Sequence, residues 1–319
     1  MPIKVDEIQR KYNIVGREEE IEAALTAANA GKNILLEGPV GVGKTTIALS
    51  IASYLNRTII RIDGDERYTE QKLTGWFDPP IVVSKGYTSD AFIQGPLSRA
   101  MIDGAILLIN ELNRMPEGTQ NVLLTSMDEK IIQIPKFGKV EASPGFMIIA
   151  TQNPEEYIGT SQLSEALRDR FVCITLFYQS EEEEKEIVKL RSRTEDERII
   201  DVAVKIMRLT RNHKNIRRGS SIRGAIDLAD LFYNLNGGFN NNLENWLKCA
   251  KIALHTKIEL EDDTYENFID VLKEIVVESL EMYKNTYIKI QDSVENGQES
   301  EYKIKNSGED TQLFDIKKK

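Results

Sequence analysis

The sequence predicts an α/β fold with a central parallel sheet, followed by a helical second domain. Short apolar runs at residues 33–37, 105–109 and 146–150 have the length and composition of strands buried on both faces of a sheet. Segments with helical periodicity lie between these runs. From residue 180 onward charged, helical patterns take over, so a domain boundary is predicted near Gln179.

A glycine-rich turn follows the first predicted strand. It satisfies the pattern Gly-x-x-x-x-Gly-Lys-Ser/Thr, and a helical pattern over residues 45–54 follows, which together indicate a phosphate-binding loop rather than a turn with a chance lysine. Inward-pointing N–H groups and the helix start favour a bound polyphosphate. We expect Lys44 to reach the β- and γ-phosphates and the Thr45 hydroxyl to ligate Mg²⁺. The residues predicted to bind nucleotide here are Gly38, Pro39, Val40, Gly41, Val42, Gly43, Lys44, Thr45 and Thr46.

Composition is that of an ordinary soluble globular protein. The chain has 319 residues, of which 41% are hydrophobic and 29% charged, and its length favours two domains. The formal net charge of −10 repels nucleic acid and anionic membranes, so such a partner would need a local basic patch. Two cysteines, Cys173 and Cys249, make neither a disulfide framework nor a zinc site. No membrane span or signal peptide is predicted, and the expected location is cytoplasmic.

Further elements flank the glycine-rich turn. Residues 18–30 have an acidic first turn and apolar periodicity, which predict a helix ended by the next glycine. Residues 58–62 are rich in β-branched side chains and predict a strand. Within residues 75–95, the run 81–87 suggests a small β-ribbon rather than a helix, but by sequence alone an irregular surface loop is favoured over that ribbon. Residues 130–142 predict a β-hairpin with a glycine in its turn.

The most apolar run, residues 105–109, ends in Asn110 and Glu111. In NTPases with a phosphate-binding loop, such a strand ends in an acidic residue that holds Mg²⁺ through water, and a following Glu polarises the attacking water. Glu111 fits the second role. Asn110 occupies the first position with a neutral amide, which offers an oxygen but no charge. Residues 116–127 predict a helix with proline at its start.

The strand at residues 146–150 runs into polar residues that include Asn153. Open α/β sheets place ligands at the carboxyl ends of their strands, so this residue is a candidate for the site. Further on, Arg168 and Arg170 precede a predicted strand at residues 172–176. From residue type alone, these two arginines are interpreted as surface charge without a functional role.

Helix-start patterns mark the second domain. Ser180 with Glu183, and Thr194 with Glu197, each predict a capping box, and residues 199–209 are strongly amphipathic.

Further helices follow in this domain. Ser220-Ser221 predicts the start of a helix that carries Arg223 in its first turn. Helical patterns continue over residues 246–254 and 268–282, and the polar residues 291–319 predict a mobile charged tail.

The order and spacing of these motifs resemble the MoxR-type AAA+ ATPases over residues 14–231. Besides the phosphate-binding loop, the matching segments are Asn110-Glu111-Leu112-Asn113-Arg114, residues 119–124, Ala150-Thr151-Gln152-Asn153-Pro154, Arg168-Asp169-Arg170-Phe171 and residues 220–224. The resemblance implies an AAA+ core with a five-stranded parallel sheet in the order 5-1-4-3-2 and an all-α C-terminal lid. It implies a nucleotide-binding domain over residues 1–179 and a lid over residues 180–290, ahead of the tail at 291–319. It also implies that residues 75–95 and 130–142 are β-hairpin insertions that contact a client.

The resemblance also assigns catalytic roles. Glu111 would be the catalytic glutamate, and Asn153 the sensor-1 residue that orients water. Arg170 would be the arginine finger that acts on the nucleotide of a neighbouring subunit, with Arg168 as the alternative. A finger supplied by a neighbour implies a ring, usually a hexamer.

Binding roles follow from the same resemblance. Arg223 would be the sensor-2 arginine that reaches the γ-phosphate from the lid, and Val15 and Gly16 would pack against adenine. Mg²⁺ would lie between Thr45 and Asn110. The family pattern has Asp at the position of Asn110, so we expect weaker Mg²⁺ dependence or slower hydrolysis than in a typical member.

The implied function is a Mg²⁺-dependent, chaperone-like ATPase that converts ATP and water to ADP and phosphate. It would remodel or activate a partner, either a von Willebrand A-domain protein or a metalloenzyme client. Residues 64–66, 121–128, 153–157 and 166–170 also resemble the gas-vesicle N proteins, and the oxidoreductase- and Rubisco-activating relatives are similar. The alternatives are therefore a gas-vesicle assembly ATPase, a nucleic-acid translocase or restriction-system motor, and a regulatory module that hardly hydrolyses ATP. The acidic balance makes a nucleic-acid partner the less expected one.

Overall fold

A computed structural model describes residues 4–154, 163–262 and 267–295. The helices in these ranges are α1 (Val5–Tyr12), α2 (Glu18–Asn29), α3 (Lys44–Tyr54), α4 (Glu70–Thr74), α5 (Pro79–Lys85), α6 (Pro96–Asp103), α7 (Glu117–Asp128), α8 (Glu165–Arg168), α9 (Glu181–Arg191), α10 (Glu197–Asn212), α11 (Ile222–Asn236), α12 (Leu243–Leu254) and α13 (Phe268–Glu295). The strands are β1 (Asn33–Glu37), β2 (Ile59–Asp63), β3 (Gly75–Phe77), β4 (Phe92–Gln94), β5 (Ile106–Asn110), β6 (Ile131–Ile134), β7 (Gly138–Glu141), β8 (Met147–Gln152), β9 (Phe171–Thr175), β10 (Ile216–Arg218) and β11 (Glu259–Leu260).

Five parallel strands form the central sheet in the order β2-β5-β8-β1-β9. When only these five strands are numbered along the chain, the order read from β9 is 5-1-4-3-2, and the expected α/β fold class is confirmed. The central strands β5 and β8 are buried at every residue. Because all five strands are parallel, their carboxyl ends meet along one edge of the sheet.

Alternate residues of the central strands face two separate hydrophobic cores. On β5, Ile106 and Leu108 pack into the core that contains α2 and α3, whereas Leu107 and Ile109 pack into the core that contains α6 and α7. Each of these side chains contributes about 1.5–3 kcal/mol by burial. Apolar residues on both faces explain why the strand is a continuous hydrophobic run in the sequence.

The insertion between α4 and α6 differs from the sequence prediction. Residues 79–85 form helix α5, so both the irregular loop and the β-ribbon considered for residues 81–87 are wrong. Pro79 and Pro80 occupy the first helical positions, where a backbone N–H has no acceptor within the helix, so its absence costs no hydrogen bond. The flanking strands β3 and β4 pair with each other around this helix. The second insertion is the predicted hairpin, in which β6 pairs antiparallel with β7.

The C-terminal part packs around its own core, in which Phe232 stacks on Trp246 with ring centroids 3.7 Å apart. It is not entirely helical, because β10 and β11 form a short antiparallel pair, so the expectation of an all-α lid needs this correction. The capping box of Ser180 and Glu183 is confirmed at the start of α9.

The second expected capping box is wrong. Asp196, not Thr194, caps α10 and accepts a hydrogen bond from the backbone of Arg198. The Thr194 hydroxyl accepts instead from the backbone N–H of Asp196, so Thr194 lies before the helix and Asp196 is its N-cap.

Helix α13 continues to Glu295, past residue 290 where the tail was expected to begin. Residues 296–319 of the expected tail, and residues 155–157 of the gas-vesicle resemblance, lie outside the described residues. Within the described ranges, no helix combines the length and the apolar character needed to cross a membrane.

Candidate nucleotide-binding site

The glycine-rich turn connects β1 to α3 and has the backbone shape that its sequence predicts. Gly38, Gly41 and Gly43 have φ angles of 148°, 86° and 94°. Residues with a side chain reach such angles at a cost of about 1–2 kcal/mol, which explains the three glycines. Helix α3 begins at Lys44 without a side-chain cap, so its first N–H groups point at the turn and suit an anion.

The side chain of Lys44 folds back over this turn. Its Nζ donates to the carbonyl oxygens of Gly38 at 2.6 Å and Pro39 at 2.7 Å. Apart from the adjacent residues of the chain, nothing lies within 4 Å of the position where Gly43 would carry a Cβ, so open space faces the turn. A cationic side chain and a helix N-terminus around open space fit a bound polyphosphate.

The remaining residues of the turn have different surroundings. Val42 is buried in the core shared by α2 and α3 and anchors the turn, while Val40 and Thr46 are exposed.

A chain of side-chain hydrogen bonds runs along the sheet edge beside the turn. Thr45 Oγ1 donates to Asn110 Oδ1 at 3.2 Å, and Asn110 Nδ2 donates to Asp63 Oδ1 at 2.7 Å. Asp63 and Asn110 are direct partners across the β2–β5 pairing. The hydrogen bond from Asn110 lowers the pKa of Asp63, burial opposes this, and Arg61 lowers it further.

These oxygen atoms suit magnesium. Mg²⁺ prefers oxygen ligands, keeps several waters, and is bound through one or two carboxylates together with substrate phosphates. A hydroxyl from Thr45, an amide oxygen from Asn110 and a carboxylate from Asp63 provide such oxygens in one row. The described part of the chain holds no cluster of three His, Cys, Asp or Glu residues that could bind a metal alone. The donor set therefore fits Mg²⁺ bound together with nucleotide.

Glu111 lies at the end of β5 in a left-handed conformation with φ 53°. Its backbone N–H donates to the buried Thr151 hydroxyl at 3.1 Å, which ties it to the neighbouring strand β8. Its carboxylate is half-exposed and pairs with Arg114 at 2.8 Å. A non-glycine residue rarely adopts this conformation, which together with its place at the sheet edge makes Glu111 a candidate for a functional role. The expected sensor residue Asn153 is connected to the segment that follows Glu111, since Asn113 Nδ2 donates to the backbone carbonyl of Asn153 at 3.2 Å.

The two candidate finger arginines point to different partners. Arg168 lies 3.9 Å from Glu37, the last residue before the phosphate-binding loop, and Glu37 also accepts a hydrogen bond from Gln152. Arg170 pairs instead with Asp128 at the end of α7, at 2.6 Å. Within this chain, Arg168 therefore faces the end of β1 next to the phosphate-binding loop, whereas Arg170 does not.

The lid packs directly on the phosphate-binding loop. Ser221, the N-cap residue of α11, lies against Gly41, and a Cβ at Gly41 would lie 2.5 Å from the Ser221 Cβ. Arg223 is exposed two residues further along α11. The start of that helix is therefore placed beside the turn that would hold the phosphates.

The two residues expected at adenine contact the start of the lid. Gln179 Nε2 donates to the Val15 carbonyl at 2.6 Å, and Gln9 Nε2 donates to the Gly16 carbonyl at 2.7 Å. A side chain at Gly16 would collide with Glu183 of α9. Both carbonyls thus already have protein donors.

Sequence reasoning missed Asp63 and Arg17. Arg17 is 8% exposed and donates to the carbonyls of Val42 at 3.2 Å and Phe177 at 2.6 Å, so it joins the phosphate-binding loop to the segment that enters the lid. Nothing in the local sequence marks this arginine. Asp63 was detectable, because it ends the strand that the implied sheet order places beside the strand of Asn110.

Comparison with known proteins agrees with this fold. A family model described as AAA domain (dynein-related subfamily) matches residues 33–171. The uncharacterized protein YojN of Bacillus subtilis is 33% identical over 235 residues, covering 70% of this chain and 76% of YojN. The uncharacterized protein SH1500 of Staphylococcus haemolyticus is 34% identical over 230 residues, 70% of this chain and 86% of that protein. The chain belongs to the AAA+ family.

Two further similarities extend the comparison of this AAA+ protein. The gas vesicle ATPase GvpN of Haloferax mediterranei is 31% identical over 218 residues, which cover 63% of this chain and 62% of GvpN. Among solved structures, a point mutant of Thermotoga maritima RuvB is 21% identical and covers 79% of this chain and 73% of RuvB, with a TM-score of 0.51. At that identity the RuvB similarity shows the shared fold alone.

Proposed function

We propose that this AAA+ protein is a Mg²⁺-dependent ATPase of the MoxR type that works as a ring, most simply a hexamer, and remodels or activates a partner protein. The observation that carries the ATPase proposal is the placement of Glu111 at the same sheet edge as Thr45 and the phosphate-binding loop. A carboxylate in that position can accept the proton of a water that attacks the γ-phosphate.

Each side chain has one task in this mechanism. Lys44 and the N–H groups at the start of α3 would bind the phosphates, and Asn153 would orient the attacking water that Glu111 deprotonates. Bound Mg²⁺ would neutralise charge between the phosphates. Arg223 would reach the γ-phosphate from the lid, since α11 starts beside the loop. Arg170 would act on the nucleotide of the next subunit, because in its own subunit it faces Asp128.

Mixing two inactive variants tests both the base and the ring. Glu111→Gln lacks the base and Arg170→Ala lacks the finger, so we expect little turnover from either alone. Random mixing at equal amounts pairs an intact base with an intact finger at about a quarter of the interfaces, so activity should reappear. A matched mixture of Glu111→Gln with Lys44→Ala should stay inactive, because both defects affect the same site. Recovery with Arg168→Ala instead of Arg170→Ala would make Arg168 the finger, and no recovery with either would contradict a finger in trans.

The partner is proposed from the resemblance and from the insertions. Trp76 and Ile93 face each other across β3 and β4 and are 43% and 39% exposed, which suits contact with a client. A pull-down with Glu111→Gln in ATP and Mg²⁺, against Lys44→Ala as background, should recover a von Willebrand A-domain protein or a metalloenzyme. Loss of the same protein on Trp76→Ala would place the contact on this insertion.

A gas-vesicle assembly ATPase is the second candidate, and the 31% identity to GvpN over 218 residues favours it. Recovery of gas-vesicle proteins in the same pull-down would select it. Stimulation of ATP hydrolysis by DNA or RNA would instead select a translocase, which the net charge of −10 disfavours. Turnover no higher than that of Lys44→Ala would select a regulatory nucleotide-binding module.

A further inference from the structure

We infer that Asp63 supplies the negative charge of the magnesium site, and that Asp63 and Asn110 work as a pair in which the amide joins the carboxylate to Thr45. This inference rests on the proposed ATPase function and adds a residue to its metal site. Considered alone, Asn110 predicts weak Mg²⁺ binding, because its side chain is uncharged. The structure places a carboxylate on the adjacent strand, in register with that amide.

The hydrogen bonds fix the orientation of the amide. A carboxylate only accepts hydrogen bonds, so the group of Asn110 that contacts Asp63 at 2.7 Å must be Nδ2. The carbonyl oxygen Oδ1 then points to the Thr45 hydroxyl at 3.2 Å, which is the side expected for the metal. Donation to a carboxylate polarises the amide and makes its oxygen a better ligand for a cation.

Electrostatic repulsion explains why an amide suits position 110 in this chain. An aspartate there would place two carboxylates within hydrogen-bond distance of each other, and like charges that close destabilise the ionised pair. Asp63 is largely exposed, with 69% of its side chain accessible, so it can reach the hydration shell of a bound ion. Its other partner, Arg61 at 3.1 Å, is half-exposed, and such surface pairs are weak enough to yield to a divalent cation.

The test measures how strongly Mg²⁺ promotes ADP binding, as the ratio of ADP dissociation constants without and with Mg²⁺ by titration calorimetry. We expect Asp63→Asn to lower this ratio about tenfold. Asp65→Asn is the matched control, because Asp65 lies two residues away and pairs with Arg67. An Asp63→Asn ratio within about twofold of the unaltered protein would overturn the inference. If the unaltered protein shows no Mg²⁺ effect on ADP binding, the proposed function fails as well, so the two failures are distinguishable.

A second measurement tests the pair itself without nucleotide. Asn110→Asp should lower the Tm in the absence of Mg²⁺, because it sets two carboxylates against each other, and added Mg²⁺ should recover part of the loss. The double variant Asp63→Asn with Asn110→Asp re-forms the hydrogen bond with donor and acceptor exchanged, so its Tm should return to that of the unaltered protein. An unchanged Tm for Asn110→Asp would show that residue 110 does not face the Asp63 carboxylate and would overturn the inference.

Discussion

Gly41 of the phosphate-binding loop and Ser221 at the start of helix α11 are so close that a Cβ on the glycine would lie 2.5 Å from the Cβ of the serine. At this point the loop and the lid touch, and there is no room for a further atom between them. Since Arg223 follows two residues later, this contact also fixes where that arginine leaves the lid. The position of the lid and the shape of the loop are coupled through these two residues.

Gly41→Ala should therefore weaken nucleotide binding. The φ angle of 86° would strain an alanine, and the added methyl would push against Ser221, so we expect a stability loss of about 1–3 kcal/mol. Urea unfolding and ADP titration measure the two effects. Gly118→Ala is the control, because that glycine lies in α7 with no atom within 4 Å of its Cβ position and should gain stability. Adding Ser221→Gly to Gly41→Ala should recover part of the loss, and no effect of Gly41→Ala on ADP affinity would contradict the coupling.

The lid holds a buried ionic cluster whose disruption should destabilise it. Glu184 is 2% exposed and accepts hydrogen bonds from Arg208 at 2.6 Å and Arg211 at 2.7 Å. Arg211 also lies 3.6 Å over the Tyr178 ring and donates to the Ser220 carbonyl, so the cluster connects the entry to the lid with the start of α11. Glu184→Ala would leave a buried arginine unpaired, and we expect a stability loss of about 3–5 kcal/mol by denaturant unfolding.

The matched control for this prediction is Glu186→Ala. Glu186 lies on the same helix but is exposed, so its removal should change stability by less than about 0.5 kcal/mol. A loss for Glu184→Ala as small as that of the control would show that water enters the cluster and screens the arginines.

The inner strands β1, β5 and β8 could be predicted because each is a short apolar run that is buried on both faces. The edge strands β2 and β9 are partly exposed, and β2 could be predicted from its β-branched residues instead. The phosphate-binding loop could be predicted because its glycine angles are a property of the local chain. The sheet order came from the resemblance to a family, since hydrophobic runs alone carry no information about which strands are neighbours. That order is also what brings Thr45 and Asn110 within hydrogen-bond distance of each other.

Local patterns failed where the deciding contact is distant or where two signals compete. The run Ile81-Val82-Val83 is β-branched, yet two prolines start a helix there and the neighbouring strands pair with each other. The bond between Asp63 and Asn110 joins residues 47 positions apart, so it depends on strand adjacency. Asn110 considered alone therefore predicted weak Mg²⁺ binding, whereas the structure places the Asp63 carboxylate beside it.

The cap of α10 gives a pH-dependent prediction. Burial of Asp196 favours its neutral form, but the charge and hydrogen bonds of Arg198, with the backbone of Phe239, outweigh this and lower its pKa below 3.8. Because the pKa is lower in the folded than in the unfolded protein, the stabilisation is complete above the unfolded value and is lost as pH falls through the folded one. Asp196→Ala should cost about 1–2 kcal/mol at pH 7.

Urea unfolding at several pH values checks this. The difference between Asp196→Ala and the unaltered protein should be constant at neutral and mildly acidic pH and shrink as pH falls below 3.8, the unfolded value. The control Glu195→Ala removes an exposed neighbour and should show almost no difference at any pH. A difference that stays constant in acid would mean that the carboxylate does not provide the cap.

Cys173 should be a poor nucleophile although it is exposed on the edge strand β9. Although the residue is exposed, its sulfur is partly desolvated, and this partial burial together with the hydrogen bond and negative charge of Glu37 raises the pKa of the thiol from 9.0 to about 11. At pH 8 the thiolate fraction is then about a hundredfold lower than in an unshifted thiol, and alkylation should slow by a similar factor relative to the unfolded chain. Peptide mass mapping after iodoacetamide treatment measures that rate. Glu37→Gln should raise the alkylation rate, because it removes the negative charge beside the sulfur. Glu37 is the last residue before the phosphate-binding loop, so the reactivity of Cys173 reports the electrostatics at this end of β1. Equal rates in the folded and unfolded protein would show that Glu37 does not act on the sulfur.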